Sequence, residues 1–256
     1  MPKKKKNKAL LYFLTSAVML AGAALMKSFP VFVFAGLAPL FAITDHVKDN
    51  DRSWIYSELI LLSVSFSFFA LTFFSFTSLP WIIGQGILLT LCFTLYIFSR
   101  EQLGEKLPLF IVLIFWLGVE YLLLKLTPLH DFIYLADFLQ LKSAWFTWSQ
   151  YTGYLGASCW ILLCNFIFYQ AVFKKELNWT YVFIFSLLVI IPIGLSYFND
   201  YDPVLRKEMI SLYTENASIN SGTYSSRGEL IPRTAAWVGA LIVLFSLVKF
   251  VTGRKK

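Results

Sequence analysis

The chain has 256 residues, 58 % of them hydrophobic and only 14 % charged, with 26 phenylalanines and a net charge of +7. A soluble globule carries about 25 % charged residues, so one or two soluble domains are excluded, and the period-2 pattern of an outer-membrane barrel is absent. The positive residues flank the apolar runs instead of forming one face, which assigns them to membrane orientation and not to nucleic acid.

The apolar runs are close to the ~20 residues that cross a hydrocarbon core as a helix. The expected fold class is therefore an all-α polytopic membrane protein of about eight transmembrane helices. The opening MPKKKKNK and the run after it resemble a signal peptide, but further spans follow and an uncleaved first helix fits equally well. The next run, Phe29 to Thr44, is short and carries Pro39, so it thins the bilayer locally or forms a broken hairpin with the first helix. Asp45 to Arg52 is a hydrophilic loop. A third span is expected from Trp54 to Thr77, a fourth from Leu79 to Phe98, and a fifth from Pro108 to Leu124 with Glu120 near one end.

Leu126 to Lys142 is too polar to cross lipid. Leu129, Phe132, Ile133, Ala136 and Leu139 recur there at helical spacing, with His130, Asp131, Tyr134 and Asp137 towards the other side. That pattern predicts a helix lying in the membrane surface. The sixth span runs from Tyr151 to Phe173, the seventh from Trp179 to Tyr197, and the last from Ala235 to Val251. The domain reading is a seven-span bundle over 1–198, with the interfacial segment at 126–142. A short outer segment occupies 199–232, and the final span with its basic tail occupies 233–256.

An even number of spans puts both termini on one side. With the N-terminus inside, only Lys27, Lys125, Lys142, Arg206, Lys207, Arg227 and Arg233 of the 22 basic residues lie outside. That excess follows the positive-inside rule, makes both termini cytoplasmic, and turns 126–142 and 199–232 outwards.

Within Ala144 to Tyr169, indoles and amides suited to a membrane boundary give way to Gly153, Gly156, Ala157 and Ser158, and then to an apolar run holding Asn165. Small residues allow close helix packing in lipid, and a buried amide needs a partner. Thr152, Gly153, Gly156 and Asn165 are thus read as helix-packing positions. Gln85 is a second interhelical amide, and Gln150 and Tyr151 are boundary residues that face lipid headgroups or serve as ordinary anchors.

Trp145 to Phe168 resembles the segment of apolipoprotein N-acyltransferases in which a Tyr/Leu-Thr-Gly-x-x-Gly motif opens a span, and is most similar to Bacteroidetes-type versions. Glu120-Tyr121-Leu122 after Trp116 is similar to the family's Glu-Phe/Tyr-Leu. Phe29-Pro30, Leu37-Ala38-Pro39-Leu40 and Ser225 to Leu230 resemble further family positions. The resemblance implies eight spans in a bacterial inner membrane, with an outward nitrilase-like domain between the seventh and eighth. It also implies acyl transfer from phospholipid to a lipoprotein through a Glu-Lys-Cys triad. Here the corresponding outer segment is only about 34 residues, below the ~50 of an independent domain, and contains no cysteine. Cys92, Cys159 and Cys164 all fall in spans, as apolar packing residues. No catalytic residue is transferred. The family's Trp-Pro-Trp-Leu approach is also missing, with His130 to Leu139 in its place.

Glu120, His130, Asp131, Asp137, Gln150 and Tyr151 remain as candidate polar or lipid-facing residues. Glu120 is read either as an anchor at the outer mouth or as an interfacial group satisfied by water, Lys125 or a neighbouring helix. One histidine with two carboxylates makes a weak acid–base or metal cluster, so no metal and no cofactor are expected. Asn216-Ala217-Ser218 is a sequon. The leading expectation is a non-catalytic relative of the acyltransferases that binds lipid or lipoprotein, or serves as a subunit beside a membrane-protein partner. The alternatives are a membrane acyltransferase working through Glu120, His130, Asp131 and Asp137, and a small-solute transporter.

Overall fold

The computed structural model describes residues 3–26, 30–46, 53–72, 75–104, 108–126, 132–174, 176–198 and 230–253. All of these are helical or irregular, with no strand among them. The long helices are α1 (Lys3–Leu25), α4 (Ser53–Leu71), α5 (Leu79–Leu103), α6 (Ile111–Leu126), α8 (Tyr154–Val172), α9 (Trp179–Phe198) and α10 (Leu230–Gly253). Four of them, α5, α8, α9 and α10, are long and apolar enough to cross a membrane. The apolar stretches Ala9–Leu25, Pro30–Asp45, Ile55–Leu71 and Ile111–Leu124 are helical but shorter. The protein is a helical membrane protein.

The second apolar run sets the architecture. Pro39 cannot donate to Ala35, and its ring crowds that carbonyl. The helix breaks at Leu37 into α2 (Val33–Gly36) and α3 (Ala38–His46). Both pieces are buried from Val33 to Thr44, between α1, α4 and α8. A break at this depth exposes backbone groups that lipid cannot satisfy, and two neighbouring helices supply the partners. Asn165 of α8 accepts from Leu37 N at 2.7 Å and Ala38 N at 3.1 Å through Oδ1. Its Nδ2 donates to Val33 O at 2.7 Å and to Ile161 O at 2.8 Å. Ser16 of α1 donates to Gly36 O at 2.6 Å. Phe34 packs on Trp160 at 4.5 Å, and Phe41 lies among Phe93, Phe166 and Tyr169.

Around this core α1 packs on α4, α4 on α5, α5 on α6, and α10 on α6 and α5. On the other side α9 packs on α8 and leaves Phe183, Ile190 and Leu195 exposed. Pro192 sits inside α9 and deprives Leu188 O of its usual donor. Trp160 Nε1 of α8 donates to that carbonyl at 2.7 Å.

Several boundaries differ from those read in the sequence. α8 begins at Tyr154 and not at Tyr151, because Gly153 adopts φ 73°, ψ 173° and separates it from the short α7 (Ser149–Thr152). This conformation is nearly glycine-only. The third span stops at Leu71, before a 3-10 turn at Phe76–Ser78. Asp45 and His46 extend α3 and do not belong to a loop. α10 takes in 230–232 from the expected outer segment, while 199–229, with the sequon and Ser225 to Glu229, lies outside the described residues.

Candidate functional site

The segment after α6 departs most from its expected form. Its described part does not lie on the surface with a polar face to water. Phe132 to Leu139 are buried without interruption, leading into a 3-10 segment over Leu135–Trp145 that is interrupted at Lys142. Tyr134 and Asp137 are 2 % and 6 % exposed, as enclosed as their apolar neighbours.

Irregular backbone inside a bundle must find hydrogen-bond partners within the protein. Here four consecutive N–H groups each donate to a side chain. Ile133 N donates to Gln85 Oε1 of α5 at 2.9 Å, and Gln85 Nε2 returns a bond to Ile133 O. Tyr134 N donates to Asp137 Oδ2 at 2.8 Å, the reach-back of an acidic residue three places into a helix. Leu135 N donates to Glu120 Oε1 of α6 at 3.0 Å, and Ala136 N to Ser158 Oγ of α8 at 3.1 Å. Trp116 Nε1 also donates to Glu120 Oε1, at 3.2 Å, and the Tyr154 hydroxyl donates to Asp137 Oδ1. Three helices and the segment itself thus meet in one enclosed polar knot, with Trp81 packed on Phe132 and Tyr134 on Tyr154.

Glu120 is therefore neither interfacial nor lipid-facing: it is 0 % exposed, inside the bundle. The reason is the need for an acceptor beneath Leu135, which no apolar residue of α6 supplies. Its second oxygen, Oε2, is buried without a hydrogen bond of good geometry. Asp137 is likewise internal. Of the other candidates, Gln150 is half-buried and Tyr151 is 51 % exposed, both at α7 and apart from the knot. His130 and Asp131 lie outside the described residues.

Thr152, Gly153 and Gly156 form a local device and not a seam between spans. Gly153 N closes α7 on Ser149 O at 2.7 Å, and Gly156 N opens α8 on Gly153 O at 3.0 Å. A Cβ at Gly156 would collide with the Thr152 side chain, its Cβ only 2.6 Å away. The turn presents Ser158 to Ala136. Asn165, two turns further along α8, holds the α2–α3 break.

A second cluster escaped the sequence reading. Asp45 at the end of α3 meets Arg100 of α5 at 3.3 Å and accepts from the Tyr169 hydroxyl of α8 at 2.9 Å, while Arg100 lies 6.0 Å from the centre of the Tyr96 ring. The only signal was an acid at the edge of a buried run, with a tyrosine and an arginine at two other helix ends.

Among the described residues no group of three or more His, Cys, Asp or Glu stands together as metal ligands. Cys92 and Cys164 are 0 % exposed, Cys159 is half-buried, and all three are free thiols. The carboxylates of the knot face backbone N–H groups, with no described histidine, lysine or exposed hydroxyl beside them. Chemically the arrangement anchors a chain segment by side-chain hydrogen bonds to its backbone N–H groups. No family model, curated protein or solved structure matches this chain.

Proposed function

We propose that the protein is a non-catalytic relative of the membrane half of apolipoprotein N-acyltransferases. In this reading it binds lipid or lipoprotein, as a scaffold or as a subunit of an inner-membrane complex with a membrane-protein partner. It crosses a bacterial inner membrane eight times, with both termini cytoplasmic. The observation that carries the reading is the use made of the acids: Asp137 and Glu120 hold the protein's own backbone at 134 and 135. A general acid or base must reach a proton on its substrate, and these two groups are enclosed by α5, α6 and α8. The outer faces of α9 and α10 offer apolar surface to lipid or to a neighbouring subunit.

The test is to reconstitute the protein in phospholipid nanodiscs with a fluorescent diacylated lipopeptide, following retention by anisotropy and acylation by mass. Saturable retention of unmodified lipopeptide is expected. Formation of N-acylated peptide, abolished by His130→Ala or Asp131→Asn, would replace this reading with a membrane acyltransferase using a different site.

A further inference from the structure

The first helix begins on charge. α1 runs Lys3–Leu25 without a break, but only Ala9–Leu25 of it is apolar. The six positions before Ala9 read KKKKNK, with no acid among them. Lysine is favoured at the opposite end of a helix, because the first turn carries the positive pole of the macrodipole. Lys3 with Lys6, Lys5 with Lys8, and Lys4 with Lys8 are also like-charge pairs three or four residues apart, which repel along a helix. Both effects oppose helix at 3–8, and α1 is helical through it nonetheless. A surrounding layer of negative charge removes both penalties.

Depth and register identify that layer. The apolar part, 17 residues counting 9 to 25, rises about 25 Å, less than the ~30 Å of a hydrocarbon core. A stretch shorter than the core keeps its flanking residues at the boundary. Residues 3–8 then climb about 9 Å, close to the about 5–8 Å of headgroup layer on one side of a bilayer. Leu10, Leu11 and Val18 are 50 %, 59 % and 69 % exposed, while Ser16 and Leu20 are buried where α1 packs on its neighbours. Positions 3 and 4 lie seven residues, about two turns, before Leu10 and Leu11, and position 8 lies three before Leu11. All three continue the exposed stripe. Acids of the bundle can approach only the other side of this turn. On the stripe, the negative charge at headgroup depth is that of anionic lipid.

We propose that the lysine turn of α1 is a binding site for anionic phospholipid headgroups, with Lys3, Lys4 and Lys8 at the positions turned to the bilayer. Orientation by positive charge explains why lysines stand at this end of the span. It does not explain a helix that continues through them. The site lies apart from the polar knot and requires neither a lipoprotein nor eight crossings, so it stands or falls separately from the function proposed above.

The test adds phosphatidylglycerol or phosphatidylcholine to the delipidated full chain in a non-ionic detergent and counts bound lipid by native mass spectrometry. Phosphatidylglycerol should bind more tightly, each lysine near the headgroup favouring it about fivefold. Lys3→Gln, Lys4→Gln and Lys8→Gln combined should cut that preference by about fivefold or more. Arg254→Gln, Lys255→Gln and Lys256→Gln combined remove the same charge from the other end of the chain and should leave most of it. In the wild-type protein, raising the salt from about 0.1 to about 1 M shortens the Debye length from about 10 to about 3 Å and should erase the preference. Absence of a preference in the wild-type protein, or its survival at high salt, would overturn the proposal without reference to any variant. So would a lysine variant that loses no more than the tail variant, since the effect would then be one of net charge.

Discussion

Glu120 shows how one residue's role is set by what stands opposite it. Its Oε1 accepts from a backbone N–H and from an indole N–H, both buried. Glu120→Ala is expected to lower stability by about 1–3 kcal/mol, because Leu135 N is left without an acceptor away from water. Glu120→Gln keeps an amide oxygen in the same place and should lose less than half as much. Unfolding in mild detergent, followed by tryptophan fluorescence, separates the two, and equal losses would show that Oε1 is not the important atom. That a carboxylate or amide inside an apolar run needs a partner was legible from the sequence, for Glu120, Gln85 and Asn165 alike. The partners were not, because they are backbone groups of distant segments whose availability depends on breaks in other helices.

At the scale of the element, α9 packs on α8 and also takes from it one hydrogen bond at a carbonyl its own helix leaves free. Pro192 frees Leu188 O, and Trp160 supplies the missing donor. Trp160→Phe should cost about 1 kcal/mol in the wild-type background, the size of a hydrogen bond in a membrane bundle. It should cost much less beside Pro192→Ala, where the helix donates its own N–H again. A double-mutant cycle measures that coupling, and strict additivity would remove the link. Long apolar elements could be read by length, since hydropathy sums over neighbours in the chain. Residues 132–139 could not. Their helical spacing suggests a surface helix, and only Gln85, Glu120 and Ser158, brought in from three other helices, make their burial possible. Gly153 was read as a packing residue for the same kind of reason: a glycine in an apolar stretch fits both a close crossing and a φ above zero, and the chain alone does not distinguish them.

For the whole molecule, the proposed eight crossings can be tested with reporter cysteines. Cys92 and Cys164 are buried and should resist a membrane-impermeant maleimide, so only Cys159→Ala is needed as background. Thr214→Cys should then label in intact spheroplasts, and Lys255→Cys only after the membrane is opened. Labelling of both before opening would overturn the crossing of α10 and the cytoplasmic place of the C-terminus.

The sequence by itself determined that this is a helical membrane protein, and approximately where its long helices lie. Both follow from runs of apolar residues whose cost of exposure to water is local and additive. The tertiary structure alone decided that 33–44 and 132–139 are enclosed, that two carboxylates face inward, and that α6 and α10 come into near-backbone contact at Gly118 and Gly239. Each of these depends on a backbone group or a missing side chain meeting its complement across the bundle, and that complement has no fixed place along the chain.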